Sequence, residues 1–477
     1  MSLWKRIVSS IVVICMLGSV TYAGSLDQTR EYQNVFDNKD TLHIWYTDEN
    51  LTDYISSLAV RFQQETDVRV IPVLQSGVEY LENIGEASLH TDTCPDLYIV
   101  SNDSIEKAAL AGLAIPIEDE TNLVNDSIFP ESGIRAVTYR DHIMAYPYYF
   151  ETSALLYNKT YLKKMTEDTI KAEDDSIEED AVSALVGARM EELIPDTFDD
   201  LLNVADNYDA PEAVEAVFKW DVADIFYNYF FVGNYITVGG PNGDNTEEIS
   251  IYNKDAIEAL QVYQNLNQFF SIEAKDVAYN SVIQEFMEGK MVYTTATTDI
   301  LKKLEQAKAD GEFDFEYGLA MIPDLKEDML TRSMSVTNGI VINGYSRQIE
   351  NANRFARYLV SDNADSLYEQ TGKIPANKTV SHQEEGIQAF MEEYEYSVPL
   401  PKMLATSNFW VQLEIAFSQI WSGANVSATL KNLSEQIMTQ VTGTPYEETL
   451  IELPKEEIEI EYLDEAAEIE AAKSAGD

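Results

Sequence analysis

The order of strand-like and helix-like segments over residues 41–74 is the feature that most restricts the fold. Residues 41–47 alternate in the manner of a buried strand, and residues 68–74 form a second strand-like run. The segment between them has large apolar residues at every fourth position, namely Tyr54, Leu58 and Phe62, which predicts an amphipathic helix. A strand–helix–strand order predicts two parallel strands joined by a right-handed crossover.

The same alternation continues as far as Ile117. We predict helices over residues 76–89 and 104–111, and strands over residues 95–100 and 113–117. Alternating elements of this kind predict an α/β domain with a mostly parallel sheet. Ligands of such sheets bind beyond the carboxyl ends of the strands, where this sequence has Asp48, Glu49, Asn50, Ser101 and Asn102.

The stretch from Ala145 to Lys159 places one carboxylate, Glu151, inside an aromatic and apolar run. Pro147 breaks the run early, and the alternation of Ile143 and Ala145 and then of Leu155 and Tyr157 predicts two extended pieces on either side of a short irregular centre. The flanking aromatic residues are Tyr148, Tyr149 and Phe150. From these residues alone, Glu151 fits a cleft wall and a core with one solvated carboxylate equally well.

The acidic charge argues against two classes of partner. The 477 residues include 83 Asp and Glu but only 32 Lys and Arg, which gives a formal net charge of -51. Nucleic acids and anionic lipid surfaces are bound by basic footprints, so neither is expected. A chain of this length is expected to form about two to four domains.

The sequence contains no pattern typical of a cofactor, a metal or a catalytic nucleophile. The four histidines lack ligand spacing, and we find no nucleophile elbow, phosphate-binding loop or dinucleotide fingerprint. Carboxylate pairs are uninformative in so acidic a chain, although a glycoside hydrolase would need one. We therefore expect a protein without cofactor or metal that is not an enzyme.

The N-terminus has the pattern of a secretory signal peptide. Basic residues precede an apolar run over residues 7–20, and Thr21 and Ala23 are small residues at the positions that a signal peptidase reads. We predict a signal peptide over residues 1–23 and a flexible lead-in over residues 24–40. The alternative is a retained anchor at Cys15, although its neighbours are large apolar residues rather than those of a lipobox.

Three later segments differ in character from the rest. Residues 166–194 form an acidic insert, for which we expect a solvated excursion or an exposed helix. Residues 217–235 are rich in aromatic residues and helical in period. Residues 446–477 are dominated by Glu with Ala and Ile, which is typical of an exposed helical or disordered extension.

Aromatic residues with isolated polar neighbours form the most informative chemical pattern. Sugars present apolar CH faces and hydroxyl groups, so flat aromatic side chains with polar groups at the rim of a concave site bind them. For any single tryptophan of an amphipathic helix, packing in the core is the alternative. The candidate platforms are Trp45, Tyr148, Trp220, Tyr229, Trp410 and Trp421, and the candidate acids are Asp48, Glu49, Glu151 and Asp221.

A series of short motifs resembles extracellular solute-binding protein family 1, the receptors of ABC transporters that include maltose/maltodextrin-binding protein. The motifs occur in the family's order across residues 41–440. The nearest local match is Ala145-Tyr-Pro…Glu151…Leu-Leu-Tyr-Asn-Lys159. The others are Thr41-Leu-His-Ile-Trp45, Phe62 to Val70, Pro95-Asp-Leu, Ala111-Gly-Leu, Gly289-Lys-Met, Phe315 to Pro323, Thr337 to Asn343, Ile374-Pro-Ala376 and Asn408-Phe-Trp410.

The resemblance implies a two-lobed, periplasmic-binding-protein-like α/β fold. Each lobe would be a mostly parallel sheet flanked by helices, with crossover strands between the lobes. The first lobe would comprise residues 41–149 plus 338–388, and the second would comprise residues 150–337 plus 389–440. The implied function is that of an extracytoplasmic, monomeric receptor that binds a mono- or oligosaccharide between the lobes and delivers it to ABC permease subunits.

The resemblance also assigns roles to individual residues. Glu151 corresponds to the family's cleft carboxylate, Trp410 to an aromatic residue that stacks on sugar, and Asp221, more loosely, to another polar position of the cleft. Asp48 and Glu49 would face the cleft from the loop after the first strand. Residues 294–298 replace the Gly-Pro-Trp of the maltodextrin binders, so one sugar platform is missing and maltose itself is not the expected ligand.

Two other functions are compatible with the sequence. The same scaffold is used to bind cations such as polyamines. The acidic composition, and the position of Glu151 among tyrosines, suit a cationic ligand. A secreted, non-transport scaffold or adaptor whose acidic tail contacts a partner is the other alternative.

Overall fold

The computed structural model describes residues 41–451, except residues 91–93, 120, 175–176, 271, 275–276 and 383. The predicted signal peptide, the alternative anchor at Cys15, the lead-in and most of the acidic extension lie outside these residues. Within the described residues, no helix is long and apolar enough to cross a membrane.

Most strands belong to one mixed sheet of order β2-β1-β3-β12-β6-β10-β7, with β11 also paired to β6 and β13 to β12. Two short hairpins, β4–β5 and β8–β9, lie outside it. The strands are β1 (Thr41–Tyr46), β2 (Arg69–Leu74), β3 (Leu97–Ser101), β4 (Thr138–Tyr139), β5 (His142–Ile143), β6 (Ala145–Asn158), β7 (Ala216–Phe218), β8 (Thr237–Val238), β9 (Ile249–Ser250), β10 (Met291–Thr297), β11 (Tyr317–Ala320), β12 (Met334–Ile342) and β13 (Val398–Pro399).

Helices cover the sheet and supply most of the remaining core. They are α1 (Thr52–Thr66), α2 (Tyr80–Ser88), α3 (Ile105–Leu110), α4 (Glu131–Val137), α5 (Lys159–Glu173), α6 (Glu179–Glu191), α7 (Phe198–Asn207), α8 (Lys254–Phe270), α9 (Tyr279–Met287), α10 (Ile300–Asp310), α11 (Ile349–Arg357), α12 (Leu367–Thr371), α13 (Glu385–Tyr396), α14 (Phe409–Trp421) and α15 (Val426–Thr442).

The predicted strand–helix–strand start is confirmed. β1 pairs in parallel with β2 on one side and with β3 on the other, and α1 buries Tyr54, Leu58 and Phe62. Asp67 follows the last residue of α1, and its φ of 60° gives the left-handed conformation that caps many helices at the C-terminus. The predicted strand over residues 113–117 is wrong, because this segment forms no strand ladder and makes scattered backbone hydrogen bonds, among them Ile115 N–H to Ile342 O and Ile117 N–H to Ile143 O.

A single strand, β6, belongs to both lobes. Its residues from Ala145 to Thr152 pair antiparallel with β12, and those from Ser153 onward pair antiparallel with β10 and β11. The two extended pieces that the sequence predicted are one continuous strand, and the irregularity between them is a register shift at Tyr148, which lies between Pro147 and Tyr149 where these pair with Gly339 and Asn338 of β12. A proline at such a shift removes no regular ladder bond.

The two-lobed α/β fold that the resemblance implied is confirmed. Parallel pairs occur within the lobes, between β1 and its two neighbours and between β7 and β10. The long strands β6 and β12 pair antiparallel with each other and with β3, β10 and β11, so the sheet is mixed rather than mostly parallel.

The helical period of residues 217–235 predicted the wrong structure. The segment forms β7 and two 3₁₀ turns, over residues 225–227 and 229–231. Side chains provide hydrogen-bond partners for the backbone of this segment. Within it, Asp221 accepts from two backbone N–H groups and Asp224 from one, and Asn228 Nδ2 donates to two backbone carbonyls. Asp and Asn compete with helical hydrogen bonding in this manner.

The acidic insert, residues 166–194, is largely helical. It comprises the second half of α5 and the whole of α6, which pack against each other. Ile170, Val182 and Val186 form a separate small core between the two helices, with Ile177 beside it. The insert is therefore a helical hairpin with its own apolar contacts.

Candidate functional site

A cavity of about 480 Å³ opens at the carboxyl ends of β1 and β3, which is within the size range of small-ligand sites. Tyrosines 46, 80 and 149 supply aromatic surface, and Asp48 and Ser101 supply polar groups. The strand pattern placed both polar residues at this edge of the sheet, and the structure brings them to one cavity.

Lys373 connects two of the predicted acids. Its Nζ lies 2.8 Å from Asp48 Oδ2 and 3.5 Å from Glu151 Oε1, and 5.3 Å from the centre of the Tyr149 ring. The side chains of Lys373 and Asp48 are each 21% exposed. One ammonium group is thus shared by two carboxylates and an aromatic face.

The loop that carries Lys373 is fixed by the backbone. Gly372 caps the C-terminus of α12 with a φ of +75°, which glycine adopts readily, and the Lys373 N–H donates to Thr371 Oγ1. The following residues run beside β6, where Phe150 N–H donates to Ile374 O and Ala376 N–H donates to Tyr148 O. These bonds hold Lys373 opposite the middle of β6.

The charges at this position reinforce one another. Burial lowers the pKa of Lys373, but the nearby Glu151 and Asp48 carboxylates outweigh that effect and raise it above its usual value. Burial, and then the same two carboxylates, raises the pKa of the Tyr149 hydroxyl. These shifts keep the Lys373 ammonium group charged and the Tyr149 phenol neutral beside the two carboxylates.

The rim of the cavity carries a second ion pair. Lys107 Nζ lies 2.5 Å from Glu82 Oε1, and both side chains are about half exposed. Such exposed pairs contribute little to stability. Both residues line the cavity, so a ligand at this edge meets charges that are already paired.

The second lobe presents a pair of tyrosines at the carboxyl end of β10. Tyr227 and Tyr279 stack with ring centres 4.5 Å apart and planes 10° apart. The Tyr279 hydroxyl lies 2.8 Å from Thr297 Oγ1 and accepts a bond from the Thr297 N–H. The half-buried pair thus contacts, through Tyr279, the segment of residues 294–298 that stands in place of the Gly-Pro-Trp of the maltodextrin binders.

β6 brings the two groups towards each other. Thr297 lies opposite Ser153 in the β6–β10 pairing, and Ser153 is two residues from Glu151. Two residues span about 7 Å along a strand. The tyrosine pair and the Lys373 group therefore approach the same part of β6 from opposite lobes.

Three of the predicted ligand residues have other surroundings. Trp45 is buried in a core cluster that also contains Tyr80 and Tyr98, and Tyr148 is 1% exposed in the main core. Both Asp221 oxygens already accept backbone N–H bonds, Oδ1 within the following turn and Oδ2 from Tyr279. We leave these three residues out of the proposed site because their side chains are buried in the core or already bonded to the backbone.

The remaining predicted residues stay candidates. Glu49 is exposed beside Asp48 without lining the cavity. Trp410 is half-buried at the first turn of α14, with its ring centre 5.4 Å from that of Tyr229. Asn102, by contrast, is fully buried, and its side-chain amide is already bonded to the backbone, since Nδ2 donates to Leu400 O and Oδ1 accepts from the Thr337 N–H.

Lys373, Tyr149, Tyr227 and Tyr279 were missed by the sequence reasoning as site residues. For Lys373 the available signal was a basic residue in a Gly-Lys-Ile-Pro loop of a chain poor in basic residues. For Tyr149 the signal was its spacing of two from Glu151, which puts both on one face of a strand.

No metal centre is indicated in the part of the chain that the structure describes. Among these residues, no group of three or more His, Cys, Asp or Glu side chains is arranged to hold a metal ion.

Comparison with known proteins identifies the family. The sequence model of the family described as "Bacterial extracellular solute-binding protein" matches residues 57–392. The chain is 24% identical over 404 residues to the maltodextrin-binding protein MdxE of Bacillus subtilis, covering 81% of this chain and 86% of that one. It is 21% identical to the maltotriose-binding protein of Pyrococcus abyssi, covering 76% and 74%.

A solved structure shares the fold. The extracellular solute-binding protein of Staphylococcus aureus, solved in complex with maltose, superposes with a TM-score of 0.69 at 18% identity, covering 84% of this chain and 98% of that one. The family match spans well over half of the chain, and the architecture agrees with it. This protein is a member of the bacterial extracellular solute-binding protein family.

Proposed function

We propose that this protein binds a carbohydrate between its two lobes, outside the cytoplasm, and delivers it to the permease of an ABC importer without catalysis. The proposed lobes are residues 41–149 plus 338–388 and residues 150–337 plus 389–440, and the proposed active form is a monomer. β6 supports this division, because it exchanges partners between residues 152 and 153.

The observation that carries the proposal is the tyrosine-walled cavity with compensated charges. Tyrosine faces suit the CH faces of a sugar, and carboxylate oxygens accept from its hydroxyl groups. Because Lys373 neutralises part of the charge of Asp48 and Glu151, the polar wall suits an uncharged ligand. The names of the relatives make malto-oligosaccharides the first ligands to test.

A cationic ligand such as a polyamine is less well supported. Its ammonium groups would need Asp48, Glu151 and the Tyr149 face, which already contact Lys373. A second cation there would meet like charge as well as carboxylates that are partly satisfied.

Carbohydrate binding is expected to raise the melting temperature. A ligand present at 100 times its Kd stabilises the folded state by about 2.7 kcal/mol. Maltose, maltotriose, maltotetraose and a panel of other mono- and oligosaccharides should be compared with spermidine by differential scanning fluorimetry and calorimetry, at equal ionic strength.

The outcome separates the two ligand classes. A higher melting temperature in the presence of one or more sugars, with no change in the presence of spermidine, supports the proposal. No rise with any sugar of the panel, or a rise with spermidine alone, would count against a carbohydrate ligand.

Replacing Trp410 by alanine is expected to weaken carbohydrate binding by about 1–3 kcal/mol, because an aromatic platform that stacks on the ligand is lost. Isothermal titration of wild type and variant with the sugar of highest affinity measures the change. Trp421→Phe on the same helix is the matched control, since Trp421 is buried and bonds Ile272 O. Equal affinities of wild type and Trp410→Ala would remove Trp410 from the site.

A further inference from the structure

Lys373 has the surroundings of a bound cationic ligand. Its ammonium group contacts a carboxylate from the loop after β1, a carboxylate from the middle of β6 and the face of a tyrosine. Carboxylates and aromatic faces are the groups with which proteins bind organic cations. Here the cation belongs to the chain itself.

We propose that Lys373 is a specificity-determining residue, which fills an organic-cation site with its own ammonium group and positions Asp48 and Glu151 for an uncharged ligand. The first part of this inference is independent of the carbohydrate assignment. The second part rests on the proposed function.

The positioning follows from the bonds that each carboxylate makes. Asp48 Oδ1 accepts from the Asn50 N–H at 3.0 Å, and its Oδ2 contacts Lys373 at 2.8 Å, so the orientation of this carboxylate is fixed from both sides. Glu151 contacts Lys373 through Oε1 at 3.5 Å. Its second oxygen has no hydrogen-bond partner among the described residues, which leaves it to accept from a ligand hydroxyl.

The specificity follows from charge. Without Lys373, Asp48 and Glu151 would face each other as two anions across a site beside the cavity, and a neutral ligand would bury charge that nothing compensates. With Lys373 in place, an incoming ammonium group meets a like charge within a few ångströms. The lysine therefore favours neutral ligands and disfavours cationic ones.

Removal of the lysine side chain beyond Cβ tests the first part directly. In Lys373→Ala the missing atoms are those of propylammonium, so propylammonium chloride is expected to raise the melting temperature of this variant and to leave that of the wild type unchanged. 1-Propanol, which lacks the charge, should stabilise neither protein. All samples are compared at equal ionic strength.

Lys378→Ala is the matched control. Lys378 is 26% exposed, lies five residues further along the same segment, and pairs with Glu395 at 3.1 Å away from the cavity. The cation site is overturned if propylammonium stabilises Lys373→Ala no more than wild type or Lys378→Ala. If Lys373→Ala does not fold, Lys373→Ser replaces it, with ethylammonium, which matches the atoms missing beyond the serine hydroxyl, as the probe and the same criterion.

Carbohydrate titration tests the second part. We expect Lys373→Ala to bind the preferred sugar at least about tenfold more weakly than wild type, and propylammonium to restore a part of that affinity. Lys373→Arg, which keeps the charge, should lose less. A Lys373→Ala affinity equal to that of wild type overturns the positioning role.

The cation-site role and the positioning role of Lys373 can be disproved independently of each other. If the wild type binds no sugar of the panel, the proposed function fails and takes the positioning role with it, while the propylammonium measurement still decides whether Lys373 fills a cation site.

Discussion

Replacing Trp220 by alanine is expected to lower the free energy of unfolding by about 4 kcal/mol, the usual cost of removing a large buried aromatic side chain. Trp220 is fully buried, and its ring centre lies 4.7 Å from that of Phe218 and 5.5 Å from that of Trp421. Its indole N–H donates to Asn228 Oδ1 at 2.8 Å. The substitution therefore leaves both a cavity and an unpaired buried acceptor.

Urea unfolding followed by circular dichroism measures this loss. Trp220→Phe is the control that keeps most of the volume and should lose less. Trp410→Ala provides the contrast, because its half-buried side chain is expected to affect ligand affinity more than stability. A Trp220→Ala variant within about 1 kcal/mol of wild type would contradict the packing described here.

The second large effect is a pH dependence that Glu393 contributes. Glu393 is buried on α13, where its oxygens accept from the Ile322 N–H at 2.5 Å and from the Ser333 hydroxyl at 2.6 Å. Burial raises the pKa of Glu393 from 4.5 to about 7, although the two hydrogen bonds oppose that rise. Between these pH values the folded state binds a proton that the unfolded state has lost, so stability falls as the pH rises.

The expected loss of stability is about 3 kcal/mol between pH 4.5 and pH 7.5, because a tenfold difference in proton affinity between the folded and unfolded states corresponds to about 1.4 kcal/mol. Below pH 4.5 the contribution is fully present, and it is lost as the pH rises through 7. Glu393→Gln should remove it, since the amide can still accept from Ile322 and donate to Ser333.

The measurement is the difference between wild type and Glu393→Gln in the free energy of unfolding at the two pH values. Effects of the other acids, and of Lys402, whose pKa burial lowers to about 7, are common to both proteins and cancel. Glu392→Gln, at the exposed neighbouring position, is the control. Parallel pH profiles for wild type and Glu393→Gln would show that Glu393 does not titrate in this window.

The sequence predicted the parts of the fold that depend on local periodicity. β1, α1, β2 and β3 have apolar spacings that fit one structure only, and Asp48 and Ser101 follow from the ends of two of these strands. The segment after Phe218 was mistaken for a helix, because periodicity does not report the side-chain bonds of Asp221, Asp224 and Asn228 that satisfy the backbone as turns.

The site was less predictable because its contacts connect distant parts of the chain. Lys373 is 222 residues from Glu151, and no local pattern links a loop lysine to a carboxylate at that separation. Trp45 and Tyr148 were candidates on residue type alone. When a β-strand is buried on both faces, its sequence does not indicate which of its aromatic residues lines a cavity. Here Tyr149 lines the cavity, while Tyr148 packs in the core.

The position of β12 between β3 and β6 has a consequence for synthesis on the ribosome. β6 is complete at residue 158 but reaches the first-lobe sheet only through β12, which ends at residue 342. At a synthesis rate of about 5–20 residues per second, β6 therefore waits roughly 10–40 s for the strand that connects it to the first-lobe sheet. During that interval the edge of β6 that later pairs with β12 is unpaired, so chaperones can bind the nascent chain there.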